Sequence, residues 1–270
     1  MKTWKFIILL FCLSCFATTA LGVEDGSPYD PEAALDRSQS VIGTPLPPLL
    51  LQDRNGSPFE LSELQGKPVI VSLIFTSCYH VCPAITRHLA TAVREAREAL
   101  GDDSFNVLTI GFDTANDTPA AMASFAGAQN IHDPGWYFLS ANAETMEHLT
   151  ASLGFTYFPT PRGFDHVNQV TVVDGDLVIY RQVYGASFEL PALVEPLKEL
   201  VFNRPQAGTP FVASLADRIK LFCTVYDPKT GRYKFDYSLF VGIAVGGLFL
   251  LIAGGWLMRE TFKARRKKSP

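Results

Sequence analysis

The nine residues from Pro68 to Thr76, Pro-Val-Ile-Val-Ser-Leu-Ile-Phe-Thr, are a continuous β-branched and aromatic run without a charge. A strand with one wet face alternates polar and apolar residues; this one does not, so both of its faces need cover. Such a strand belongs inside a parallel sheet flanked by helices. The patterns that follow it agree. Pro83–Leu100 reads as a helix with Arg94, Glu95, Arg97 and Glu98 on its wet side, and Phe105–Phe112 as the next strand. Thr118–Gln129 reads as a helix capped near Asp117 with Pro119 in its first turn, Trp136–Leu139 as a short strand and Ala143–Leu153 as a helix. After a proline-bearing loop, Val167–Val173 and Leu177–Tyr184 flank the turn signal Asp174-Gly175-Asp176, and Leu190–Phe202 closes the pattern as a helix.

That order predicts an α/β, thioredoxin-like layout, a parallel sheet with an antiparallel hairpin at one side and helices on both faces. It occupies residues 41–203, behind a polar, proline-bearing tether at 23–40. The flanks read differently. Lys2 and Lys5 precede an apolar run from Phe6 to Phe16, with Ala20 and Gly22 placed for cleavage before Val23, so 1–22 reads as an export signal that removes Cys12 and Cys15. Tyr237–Met258 are 22 uncharged residues, enough for the ~20 that a membrane helix needs. Residues 259–270 carry six Lys/Arg against Glu260, which predicts a cytoplasmic tail and an exported globular domain on a single-pass cell-membrane protein. Gly242 and Gly246 form a GxxxG that suits a helix-paired homodimer. Residues 204–236 read as a membrane-proximal segment, amphipathic where Phe211, Leu215, Ile219 and Phe222 recur at helical spacing. Residues 23–258 hold 15 Lys/Arg against 26 Asp/Glu, a balance that excludes a nucleic-acid surface.

Three cysteines remain after the signal: Cys78, Cys82 and Cys223. Cys78-Tyr79-His80-Val81-Cys82-Pro83 begins where the buried strand ends and a helix starts. Free backbone N–H groups there favour thiolates, so both thiol pKa values are expected to fall. Positions i and i+4 put the two sulfurs on one face. Such a pair can hold Cu(I) or zinc, or close into a disulfide, either redox-active or merely stabilising. A bridge that closes so short a loop removes little unfolded-chain entropy, which favours chemistry over stapling. His166, in Asp165-His166 at the entrance of the strand from Val167, is the best third ligand. His80 points away; His88, His132 and His148 read as solvated. Asp113 can support the site by charge or hydrogen bond, Asp117 reads as a helix cap, and Cys223 as a buried thiol or a further partner in transfer.

Together, Cys78-x-x-x-Cys82-Pro83, Asp113-Thr-Ala-Asn-Asp117-Thr118-Pro119 and Asp165-His166 before a hairpin resemble the Sco (synthesis of cytochrome c oxidase, or SenC) family over residues 41–203. The resemblance implies a membrane-anchored copper protein of thioredoxin fold that helps to assemble the dinuclear copper centre of cytochrome c oxidase. It places the family's copper ligands on Cys78, Cys82 and His166, with the oxidase's copper-bearing subunit or a similar acceptor as partner. Its members are usually anchored by an N-terminal helix, where this chain has a C-terminal one, and Tyr79 and His80 replace the small or acidic residues common between the cysteines. The competing expectation is a thiol-disulfide oxidoreductase in which Cys78 and Cys82 cycle to keep acceptor cysteines reduced. Peroxide reduction is a third, weakened by the lack of a Thr/Arg arrangement beside the cysteines.

Overall fold

The computed structural model describes residues 29–202, two strands at 224–227 and 232–235, and residues 237–266. The expected signal, the amphipathic stretch from Phe211 to Phe222, Cys223, and Lys267 and Lys268 lie outside the described residues. After the first helix, α1 (Pro31–Ser40), come β1 (Leu50–Asp53), β2 (Pro58–Glu60), β3 (Val69–Ile74), α2 (Val81–Leu100), β4 (Asn106–Gly111), α3 (Pro119–Ala128), β5 (Trp136–Ser140) and α4 (Ala143–Ser152). A small hairpin of β6 (Tyr157–Thr160) and β7 (Gly163–His166) follows, then β8 (Gln169–Val173), β9 (Ile179–Tyr184) and α5 (Leu190–Phe202). The described remainder is β10 (Thr224–Asp227) paired with β11 (Arg232–Phe235), and α6 (Ser238–Arg266).

Seven strands form one sheet in the order β2-β1-β5-β4-β3-β8-β9. β3, β4 and β5 run parallel at its centre, and every residue of β3 and β4 is buried, as the charge-free run at 68–76 requires. The antiparallel β8–β9 hairpin lies on one side, as expected. Asp174 makes its turn by accepting the Asp176 and Val178 N–H groups at 2.8 and 2.9 Å, and Leu177 takes the left-handed conformation. At the opposite edge, β1 and β2 add a second antiparallel hairpin that the sequence pattern did not announce.

α2 supplies much of the cover for the sheet. Cys82, Ile85, Leu89, Ala92, Val93 and Ala96 recur at three- and four-residue spacing and are buried, and the helix stops at Gly101, whose φ of 105° few other residues accept. Two of its charges depart from the expected wet face. Glu95 and Arg97 are buried; Arg97 donates to the Pro134 carbonyl at 2.8 Å and lies 5.7 Å from the Phe105 ring centre, so its long stem packs while its head is bonded.

Most of the described part of the expected tether is helical. α1 is capped by Asp30, which accepts the Glu32 and Ala33 N–H groups, and it docks through Tyr184, whose hydroxyl meets Ser38 Oγ at 2.8 Å and Gln39 Nε2 at 2.6 Å. At the other end, α6 exposes Phe240, Val241, Leu248, Phe249 and Leu251. Among the described residues, no helix is long and apolar enough to cross a membrane.

Candidate metal centre

The site grows from the end of β3. After Ile74 the chain turns, the Cys78 N–H returns to the Phe75 carbonyl at 3.2 Å, and α2 begins at Val81. His80 occupies the capping position of α2 but offers no side-chain acceptor. The Cys78 sulfur takes that role, accepting the Cys82 N–H at 3.3 Å. Both cysteines are free thiols.

The two thiols are not equivalent, contrary to the expectation that both ionise easily. Cys78 is half-buried. Burial alone would raise its pKa, but hydrogen bonds from Cys82 and from the His80 and Val81 N–H groups outweigh it and bring the thiol below its usual value. Cys82 is 1% exposed. Burial drives its pKa strongly up, the charges of Cys78 and Asp117 add to the rise, and a hydrogen bond from the Phe75 backbone only partly opposes it. Cys78 is therefore the more easily ionised sulfur and Cys82 the more protected one.

His166 is the last residue of β7, opposite Tyr157 in the register of the small hairpin. The expected loop at the mouth of β8 is thus a strand of its own, and the strand expected from Val167 begins at Gln169. Its Nδ1 lies 3.0 Å from the Val167 carbonyl. A carbonyl only accepts, so Nδ1 carries the proton and Nε2 keeps a lone pair, the tautomer a metal ligand needs. Burial lowers the His166 pKa against the opposing pull of that carbonyl and of Asp165.

Aromatic rings surround the imidazole: Phe155, Phe112 and Phe75, with centroids 5.3, 5.5 and 6.2 Å from it. Gly163 makes room for this cluster. A Cβ there would sit 3.0 Å from the Phe75 ring. Phe75 is the shared element, its backbone bonded to Cys78 and Cys82 and its ring edge-on to His166. Among the described residues, no group of three His, Cys, Asp or Glu side chains is gathered tightly enough to hold a metal ion by itself.

The other expected residues fall elsewhere. Tyr79 is 85% exposed and His80 is exposed. His132 and His148 are exposed, whereas His88 is packed, its Nε2 2.6 Å from the Phe188 carbonyl and its ring against Phe188. The Asp113 carboxylate is engaged by the Asn116 side chain. Asp117 does not cap α3: Thr118 does, accepting the Ala121 N–H at 3.2 Å.

The model of the SCO1/SenC family matches residues 46–201, more than half of the chain. The chain belongs to that family. Among its relatives, a Stutzerimonas stutzeri protein named for copper binding is 27% identical over 168 residues, covering 59% of this chain and 74% of its own. A crystal structure from Aquifex aeolicus named for electron transfer superposes with a TM-score of 0.55 at 29% identity, covering 62% of this chain and 98% of that one. Copper-bound yeast Sco1 shares the thioredoxin-like fold with a TM-score of 0.51 at 20% identity, covering 62% of this chain and 91% of its own.

Proposed function

We propose that this Sco protein carries copper to an acceptor, holding Cu(I) on Cys78, Cys82 and His166 and releasing it to the copper-bearing subunit of cytochrome c oxidase or a similar acceptor. The observation that carries this reading is the donor set around Phe75: a thiol made easier to ionise, a second sulfur one helical turn on, and an imidazole whose Nδ1 is turned to a carbonyl so that Nε2 is the nitrogen offered to a metal, all soft or borderline donors suited to Cu(I). The family membership and the copper-binding relative support it. Cys78 is the sulfur through which ligand exchange with an incoming thiolate begins, because it is the more easily ionised of the two and the less buried.

The same reading anchors the chain in the cell membrane through 237–258, with the globular domain outside the cytoplasm. The exposed apolar residues of α6 and the basic run after Met258 support that topology. Competitive titration of the reduced chain against a Cu(I) chelator tests the carrier. One equivalent retained by the wild type, with affinity lost in Cys82→Ala and His166→Ala, is the expected result; a wild type that retains no copper overturns it.

The inequality of the cysteines also favours a second activity at the same site, reduction of the acceptor's disulfide. The Cys78 thiolate attacks one acceptor sulfur and expels the other as a thiolate. The Cys82 thiol then displaces the acceptor from Cys78, its proton passing to the sulfur it expels, which leaves a Cys78–Cys82 disulfide and the acceptor pair reduced as one thiol and one thiolate. His166→Ala would leave this exchange within a few-fold of wild type, while Cys78→Ser would abolish it.

A further inference from the structure

Relieved of capping by Thr118, the Asp117 side chain turns inward and is 2% exposed. One carboxylate oxygen accepts both the backbone N–H and the hydroxyl of Thr76, at 2.8 and 2.7 Å, and the other accepts the Asp113 N–H at 2.9 Å. Hydrogen bonds to a carboxylate are stronger than neutral ones, and here three converge on one buried group. The fold makes space for it at Gly111, where a Cβ would lie 2.4 Å from the Asp117 Cβ. Asp117 therefore fastens the chain leaving β3 to the chain leaving β4.

Thr76 follows Phe75 directly, and Phe75 is the residue whose carbonyl receives the Cys78 N–H and whose backbone bonds Cys82. We propose that Asp117 is a positioning residue for the thiol pair, fixing through Thr76 the segment of backbone against which Cys78 and Cys82 are both set. Disulfide formation tolerates little error in sulfur placement, so slackening this segment lowers the effective concentration of one thiol at the other. The proposal rests on the reading of Cys78 and Cys82 as a working pair, and it requires no metal.

The test equilibrates the full chain, free of metal, in glutathione buffers and reads the Cys78–Cys82 disulfide by alkylation and mass mapping. Asp117→Asn, which replaces a charged acceptor by an amide, should shift the equilibrium toward the dithiol by about ten-fold. Thr76→Val, which deletes one of the three hydrogen bonds at nearly constant shape, should shift it less and in the same direction. Thr76→Ser, which restores the hydroxyl, should return within about two-fold of wild type. The proposal is overturned if Asp117→Asn and Thr76→Val, both folded by circular dichroism, stay within about two-fold of wild type or shift toward the disulfide. Should Asp117→Asn fail to fold, Thr76→Val decides by the same limits. A wild type that retains no copper in the chelator titration would leave this readout untouched, and unchanged glutathione equilibria beside normal copper retention would remove Asp117 while leaving the carrier.

Discussion

Cys78 accepts the N–H of the residue whose sulfur it must work with, and this bond, with those from His80 and Val81 and with the burial of Cys82, separates the chemistry of the two thiols. Iodoacetamide should modify Cys78 of the reduced chain with a half-maximal rate at a pH below that of an ordinary thiol, since a lowered pKa populates the thiolate earlier. Cys82 should remain unmodified until the chain is unfolded, which peptide mapping after alkylation would check; equal labelling of both would contradict the assigned environments. His166 gives a second pH dependence. Its folded pKa lies below its unfolded value near ~6.5, so the unfolded chain binds the extra proton first. Its contribution to stability is complete above that value and is lost as pH falls through it toward the folded pKa. Urea titrations of the reduced, metal-free chain should show that loss, and His166→Ala should lack it.

Much of this was legible in the residues and some was not. The position of the cysteines at a strand end was readable because an uncharged run simply stopped there. Their inequality was not, because Cys82's burial depends on α2 lying against the sheet. Asp117 was misread for a related reason: its partner Thr76 is 41 residues away and only the parallel pairing of β3 and β4 brings them together.

At the level of elements, the β6–β7 hairpin stands outside the seven-stranded sheet and is held by rings. Phe112 alone meets Phe75, Phe155, Tyr157, Phe164 and His166. Phe112→Ala should cost about 3–5 kcal/mol by urea unfolding, and Phe112→Leu should cost less while still weakening copper retention, because the imidazole loses its flanking ring. The pattern Tyr157-Phe-Pro-Thr-Pro-Arg-Gly-Phe-Asp-His166 hid this hairpin, since two prolines and no buried alternation look like loop. α1 was hidden differently. Its attachment runs through hydroxyls and amides rather than an apolar stripe, so hydrophobic periodicity had nothing to detect. Tyr184→Phe, which removes the hydroxyl shared by Ser38 and Gln39, should cost about 1 kcal/mol and speed amide exchange in residues 31–40 ahead of the sheet.

For the whole molecule, the proposed arrangement is a domain with a strong acidic excess outside the membrane and a basic tail inside. An alkaline phosphatase fused after Pro270 should be inactive, and high activity would reverse the topology. The central sheet could be anticipated because each strand's burial is written in its own composition; the edge hairpin β1–β2 could not, since its strands alternate weakly and are short.

The docking of α1 has a practical consequence for anyone handling the protein. The Tyr29 ring lies 6.0 Å from Phe158, on the hairpin that ends in His166. The described chain therefore begins beside the hairpin that carries His166. A polyhistidine purification tag placed there would add a row of imidazoles near the hairpin that carries His166, each a competing metal ligand. A metal titration on such material would then report the tag's ligands together with the protein's own, and His166→Ala would look harmless for reasons unrelated to its role. The same tag attached after the basic tail, across the proposed membrane, would leave the imidazole count at the site as the sequence wrote it.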